Sequence, residues 1–233
     1  LKLNTPEEYV QKYVNEYYLM DMFYRRALEA YHELVTLDIP IEAVINEAKR
    51  QLDQEYAKMA NVMNLEWLTC VKEKGETFRG VTLGRQQNFY RTEGDGTVKQ
   101  VVIVSDALRY EVAVELMQQL AKEKHIATLT SYLSMLPTET KYCKPALLPH
   151  QSLELQVTDM LVDGAVLTTT EQRTAHLGKY KEGAVCMRYE EVMNGDLSAM
   201  REQFKHPLVY IFHDTIDEAS HSQSPFEVIA ACR

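Results

Sequence analysis

Residues 101–106 read VVIVSD and residues 107–120 continue ALRYEVAVELMQQL, so an unbroken Val/Ile run ends on Asp106 and turns at once into an amphipathic helical pattern. A strand without polar alternation is one covered on both faces, as strands of parallel α/β sheets are. In such sheets ligands gather outside the carboxyl ends of the strands, which is where Asp106 falls. Two roles suit an Asp there. It can cap the following helix by accepting from free backbone amides, or it can serve a site at the rim of the sheet. The strand alone does not separate them.

Downstream, the alternation continues. Apolar β-type runs at 98–105, 126–133, 159–162, 184–189 and 208–212 are interleaved with helical patterns at 110–124, after Pro137, and at 197–204. This predicts an α/β domain with a mostly parallel sheet and helices on both faces. Upstream the character is helical. Thr5, Pro6, Glu7 and Glu8 form an N-cap, a proline at the first helical position and an acidic first turn. From Tyr9 to Val35 apolar and aromatic residues recur at three- and four-residue steps, a stripe that reads as packing against a neighbour. Pro40 interrupts it, and a second helical pattern runs from Ile41 to Lys74. Gly75, Gly80, Gly84 and the Gly94-Asp95-Gly96 turn then break periodicity. The expected organisation is a helical hairpin or bundle over 1–75, a linker over 76–97 and the α/β domain over 98–233.

Composition narrows the function classes. The 233 residues are 45% hydrophobic and 25% charged, ordinary for a globular chain, and no stretch approaches the roughly 18 apolar residues of a membrane helix. The expectation is a soluble protein without membrane partners. A formal net charge of −9 gives no support to direct nucleic-acid binding, so an anionic substrate needs metal ions or a focused site. Cys70, Cys143, Cys186 and Cys232 lack CxxC spacing, which fits reduced thiols and a cytoplasmic location. The chain opens on Leu1 and stops at FEVIAACR inside a helical pattern, so it reads as a fragment of something longer.

Two more segments carry candidate chemistry. The run 208–212 empties into His213, Asp214, Thr215, Ile216, Asp217, Glu218, Ala219, Ser220 and His221. Asp217 and His221 are four apart, so on a helix they face one side and can grip one divalent ion, zinc by preference, with manganese tolerated. Against this, polar residues collect in loops after strands. In 133–141, LSMLPTETK, Pro137 fixes a turn and hydroxyls arrive where a helix begins. A hydroxyl there can act as a nucleophile near free amides, or Thr138 or Thr140 can simply be an N-cap.

An Asp, a helix-starting Thr and an Asp-x-x-x-His at three ends of one sheet together describe a metal-assisted phosphoryl-transfer site. Here the sequence resembles a known family, the PglZ domain, a branch of the alkaline phosphatase superfamily found in BREX-type phage-defence systems. The matching words, in consistent order from Gln86 to His221, are QQNFY, VVIVSDALRYE, LPTETKYCKPALLPH, LVDG followed by TTTEQR, and VYIFHDTID. The helices upstream resemble the region preceding this domain. The resemblance implies an alkaline phosphatase-like sheet, incomplete here, and a role for each matching position. Asp106 matches the first-strand metal ligand, Thr140 the nucleophile with Thr138 as second candidate, Asp217 a ligand of a second metal, and His221 the His of an Asp-x-x-Gly-His pattern. Ser220 departs from that Gly, and His221 stands where many members have Asp. The turn Lys141-Tyr142-Cys143-Lys144-Pro145 departs from the family's apolar, glycine-containing one. Arg109 could reach a phosphate, although a salt bridge to Glu111 suits it better.

The function implied is a metal-dependent phosphohydrolase, a phosphomonoesterase or phosphodiesterase. Thr140 is its nucleophile, two divalent metals (Zn2+, alternatively Mn2+ or Mg2+) assist, and its partners are other defence-system proteins and a phosphorylated substrate. The competing reading is a catalytically inactive scaffold of the same complex. A haloacid-dehalogenase-type phosphatase needs a second Asp two residues after the first, and that position is Leu108. Members of the superfamily draw further ligands from downstream strands, so residues 1–233 alone are expected to bind metal weakly and turn over little substrate.

Overall fold

A computed structural model describes residues 2–37, 42–75, 78, 80–94, 97–222 and 224–232. Pro40, the Ile41 helix start, and Asp95 and Gly96 of the glycine turn lie outside the described residues. In chain order, helix α1 (Pro6–Lys12) passes through a π-helical stretch (Tyr13–Tyr17) into α2 (Tyr18–Val35), and α3 (Glu42–Glu73) follows. Then come β1 (Gly84–Arg85), a 3-10 turn (Gln86–Asn88), α4 (Phe89–Glu93), β2 (Gln100–Ser105), α5 (Tyr110–Lys122), β3 (Tyr132–Leu133), α6 (Thr140–Cys143) and a second 3-10 turn (Pro145–Leu147). The chain continues through β4 (Leu153–Leu155), β5 (Met160–Val162), α7 (Thr170–Tyr180), β6 (Val185–Arg188), α8 (Tyr189–Asn194), α9 (Leu197–Gln203), β7 (Leu208–His213), α10 (Thr215–Ser222) and α11 (Pro225–Ala231). These elements form two compact units, one of Leu1–Thr82, Leu108–Thr130 and Ser222–Arg233, the other of Leu83–Ala107 and Ser131–His221.

The first unit is helical. Thr5 caps α1 by accepting from the Glu8 amide at 3.2 Å, with Pro6 at the first position. Asp21 on α2 is buried and accepts from the hydroxyls of Tyr13 (2.6 Å) and Tyr56 (2.7 Å), while Tyr24 stacks flat on Tyr56. Helix α5, which follows the quoted strand in sequence, groups with these helices. Its Glu115 pairs with Arg25 and Arg26, and Tyr110 packs edge-on to Tyr18. Phe226 of α11 stacks on His32 with ring centroids 4.5 Å apart.

The second unit is the α/β part expected from the alternation. Its main sheet has the order β2-β7-β6, all parallel. Every residue from Leu208 to Phe212 is buried, since β7 is central and apolar side chains gain by leaving water on both faces. The core joins Tyr210 and Phe212 to Leu148, Met160, Val162 and Leu177. Helix α7, not anticipated from periodicity, is started by a capping box. Thr169 accepts from the Gln172 amide (3.3 Å), and the Gln172 side chain accepts from the amides of Thr168 (2.9 Å) and Thr169 (3.1 Å). The TTTEQR word is thus a helix start.

Three expectations are corrected. β2 is an edge strand whose Val102 and Val104 pack on the core while Ile103 is 63% exposed, so it is covered on one face only. Of the run 126–133 only Tyr132–Leu133 forms a strand, because the preceding residues find no pairing partner among the described residues and Ile126 stands fully exposed. β3 pairs with β1 as a separate parallel ribbon, so the turn carrying Thr140 does not leave the sheet of Asp106.

Candidate active site

The register of β2 on β7 sets Ser105 opposite His213, and the ladder runs one step further, the Asp106 amide donating to the His213 carbonyl at 2.9 Å. Asp106 and Asp214 therefore leave neighbouring strands side by side. Asp106 does not cap α5. That helix begins at Tyr110 behind Arg109, without a side-chain cap, and Asp106 Oδ1 instead accepts from the Ala107 amide at 3.0 Å. Ala107 takes φ +61°, a left-handed conformation that costs a non-glycine residue about 1 kcal/mol or more and bends the chain away directly after the carboxylate.

Two carboxylates at adjoining strand ends repel each other. Here a cation lies between them. Lys144 Nζ is 2.6 Å from Asp214 Oδ1 and 3.1 Å from Asp106 Oδ2, and the lysine side chain is only 11% exposed. It also stands 5.7 Å from the centre of the Phe212 ring, whose other cationic neighbour is Arg173 at 4.4 Å. Asp106 Oδ2 is buried and accepts no well-aligned hydrogen bond, so the ammonium is its compensation among the described residues.

The turn bearing the hydroxyls is held from below by one amide side chain. Gln86 Oε1 accepts from the Met135 amide at 3.1 Å and Gln86 Nε2 donates to the Cys143 carbonyl at 3.0 Å, which closes the segment 135–143. The Leu136–Pro137 peptide is cis. The Cys143 thiol points at the Pro137 carbonyl (3.5 Å), and burial pushes its pKa up, which disfavours the thiolate form. Thr138 and Thr140 are exposed, and neither hydroxyl hydrogen-bonds among the described residues, so neither is an N-cap. Glu139 precedes α6, and that helix has only four residues, too few aligned peptides to give the field expected from the sequence. Thr140 lies one helical turn before Lys144, whose amide donates to the Thr140 carbonyl at 3.0 Å.

On α10, Asp217 and His221 do face the same side, with Asp217 Oδ1 and His221 Nε2 3.5 Å apart. Ser220 donates its hydroxyl to the Asp217 carbonyl at 2.6 Å. His213 is taken up by Ser105 Oγ (2.8 Å) and by the edge of Tyr189. Arg109, in the helical unit, pairs with Glu111 (2.9 Å) and lies 3.7 Å from Asp21. Among the described residues no three His, Cys, Asp or Glu side chains converge as a metal cluster. Sequence reasoning missed Asp214 and Lys144. The first had a signal, since it follows an apolar strand just as Asp106 does. Lys144 showed only as part of a turn that departs from the family's pattern, with nothing to tie it to Asp106 or Asp214, because these partners are 38 and 70 residues away.

Residues 87–231 match the family model described as the BREX system PglZ alkaline phosphatase-like domain. The chain belongs to this family. Over an alignment of 237 positions that covers 98% of the chain, it is 26% identical to the alkaline phosphatase-like protein PglZ of Bacillus cereus (strain H3081.97). Over an alignment of 161 positions that covers 64% of the chain, it is 35% identical to the alkaline phosphatase-like protein BrxZ of Escherichia coli O9:H4 (strain HS). The chain spans 27% and 18% of the length of these two relatives.

Alkaline phosphatase-like proteins generally use divalent metals, and among the described residues two pairs, Asp106 with Asp214 and Asp217 with His221, each bring two donor side chains of the kind such ions take. Asp106 and Asp214 already converge on one cation. Two ligand atoms bound at about 2.1 Å in tetrahedral geometry lie roughly 3.4 Å apart, and the Asp217–His221 separation is 3.5 Å.

Proposed function

We propose that the full-length protein is a metal-dependent phosphohydrolase, a phosphomonoesterase or phosphodiesterase, working in the cytoplasm with other proteins of a phage-defence system on a phosphorylated substrate. The supporting observation is the convergence of Asp106 and Asp214 on a single cation whose carrier, Lys144, lies one turn after Thr140. Thr140 is the nucleophile: it matches that position in the family resemblance, and its hydroxyl is exposed and makes no hydrogen bond among the described residues. Asp106, Asp217 and His221 are the metal-holding residues, with Asp214 beside Asp106. Such an ion, zinc by its taste for mixed oxygen and nitrogen donors and otherwise manganese or magnesium, would supply Lewis-acid polarisation of the phosphoryl oxygens and a lowered hydroxyl pKa. Thr138, two residues before Thr140, is the neighbouring hydroxyl available to hydrogen-bond a substrate phosphate. Arg109 could contribute only by giving up Glu111 and Asp21.

The test is hydrolysis of p-nitrophenyl phosphate and of bis(p-nitrophenyl) phosphate by the full-length protein in Zn2+, Mn2+ or Mg2+. Thr140→Val is expected to lower kcat by roughly 10³-fold or more, as loss of a nucleophile does. Unchanged kcat overturns the reading. A scaffold role is the second reading, favoured by the fact that Lys144 already neutralises this pair of carboxylates with an internal ion pair. In that case Thr140→Val keeps full protection against phage.

A further inference from the structure

The cation between Asp106 and Asp214 belongs to the chain itself. Its stem is covered, its head lies within 2.6 and 3.1 Å of the two carboxylate oxygens, and Pro145 fixes the backbone immediately after it. Withdrawing an ammonium this far from water is unfavourable unless opposite charges compensate, and here two do. A divalent ion bound through the same oxygens needs them at about 2.0–2.2 Å, inside the volume that the ammonium fills. Both cations cannot hold the pair at once.

We propose that Lys144 is the resident counter-cation of this site and that a divalent metal and the Lys144 ammonium compete for the Asp106–Asp214 pair, so that loading the metal releases the lysine. This rests on the phosphohydrolase reading for its purpose but not for its test. Without Lys144 the two carboxylates would face each other uncompensated and would draw a divalent ion more strongly. With it, part of the metal's binding energy goes into displacing an ion pair. The four-carbon stem allows the head to leave by rotation about its own bonds while α6 stays in place.

The experiment uses the full-length protein and Mn2+ alone as probe. Isothermal titration is expected to give Lys144→Met an affinity at least tenfold tighter than the unaltered protein, whereas Lys144→Arg stays weak. Should Lys144→Met fail to fold, the unaltered protein carries the test. Acetylation of Lys144 by an amine-reactive ester, followed by mass spectrometry, is expected to be slow without Mn2+ and several-fold faster with it. Equal or weaker Mn2+ binding by Lys144→Met overturns the proposal, as does acetylation that Mn2+ leaves unchanged or slows. Neither measurement involves turnover, so an inactive protein with metal-dependent Lys144 exposure would sink only the hydrolase reading.

Discussion

Gln86 shows how a residue with no chemistry of its own can hold a site. Its side-chain amide spans the two ends of the hydroxyl-bearing turn, and no side chain lacking both a donor and an acceptor can do the same. Gln86→Met, which keeps length and loses both bonds, is expected to cost about 1–3 kcal/mol in urea unfolding of the full-length protein, because the Met135 amide and Cys143 carbonyl lose their partner. It should also lower kcat by displacing Thr140, and retention of both stability and kcat would show the turn to be held otherwise. At this scale the sequence disclosed what repeats a known pattern. Asp106 at the end of VVIVSD was legible as a rim carboxylate, and the structure removes the cap alternative because α5 starts four residues later. Asp214 was in view but overshadowed by Asp217 and His221. Lys144 appeared only as a departure from the family's turn, since a charge pair between distant segments leaves no periodic trace.

Among the elements, β7 and β2 were readable because parallel strands need apolar residues, whereas α7 was hidden by its polar surface and declared itself only through its capping box. The turn after β5 combines both lessons. Asp163 and Gly164 take positive φ, the left-handed backbone that tight turns use, and the Asp163 carboxylate is also a hub. It accepts from the amides of Gln151 (2.8 Å) and Ser152 (2.9 Å) and from the Tyr180 hydroxyl of α7. Burial alone would raise its pKa, but these three donors outweigh that and hold it at about 2, below the ordinary value of 3.8. A carboxyl whose folded pKa is depressed contributes stability above its unfolded pKa and loses it as pH falls toward the folded value. The α/β unit should therefore weaken between about pH 4 and pH 2. Asp163→Asn should be less stable than the unaltered protein at pH 7, with the difference shrinking through that window in thermal unfolding. A pH-independent difference would assign the effect to shape and not to charge.

At the scale of the molecule, the chain passes between its two units four times, after Thr82, Ala107, Thr130 and His221. Composition cannot announce a discontinuous unit, because each segment's pattern is local, and that is why α5 read as cover for the sheet. The division gives metal binding a spatial signature. Asp106, Thr140, Lys144, Asp214, Asp217 and His221 all belong to the α/β unit. A ligand that binds only the folded site stabilises it by RT ln(1 + [L]/Kd), about 2.7 kcal/mol at a hundredfold excess over Kd, or roughly 100-fold slower exchange of amides that open with the site. Native proteins open in cooperative pieces, so this protection need not spread to the other unit. Hydrogen exchange of the full-length protein with saturating Mn2+ is expected to slow amides of 100–106, 135–144 and 208–221, leaving α2 and α3 within twofold of their metal-free rates. Uniform slowing would mean that the two units open as one. Slowing confined to α2 and α3 would place the ion away from the strand ends and remove the basis for reading Asp106 as a ligand.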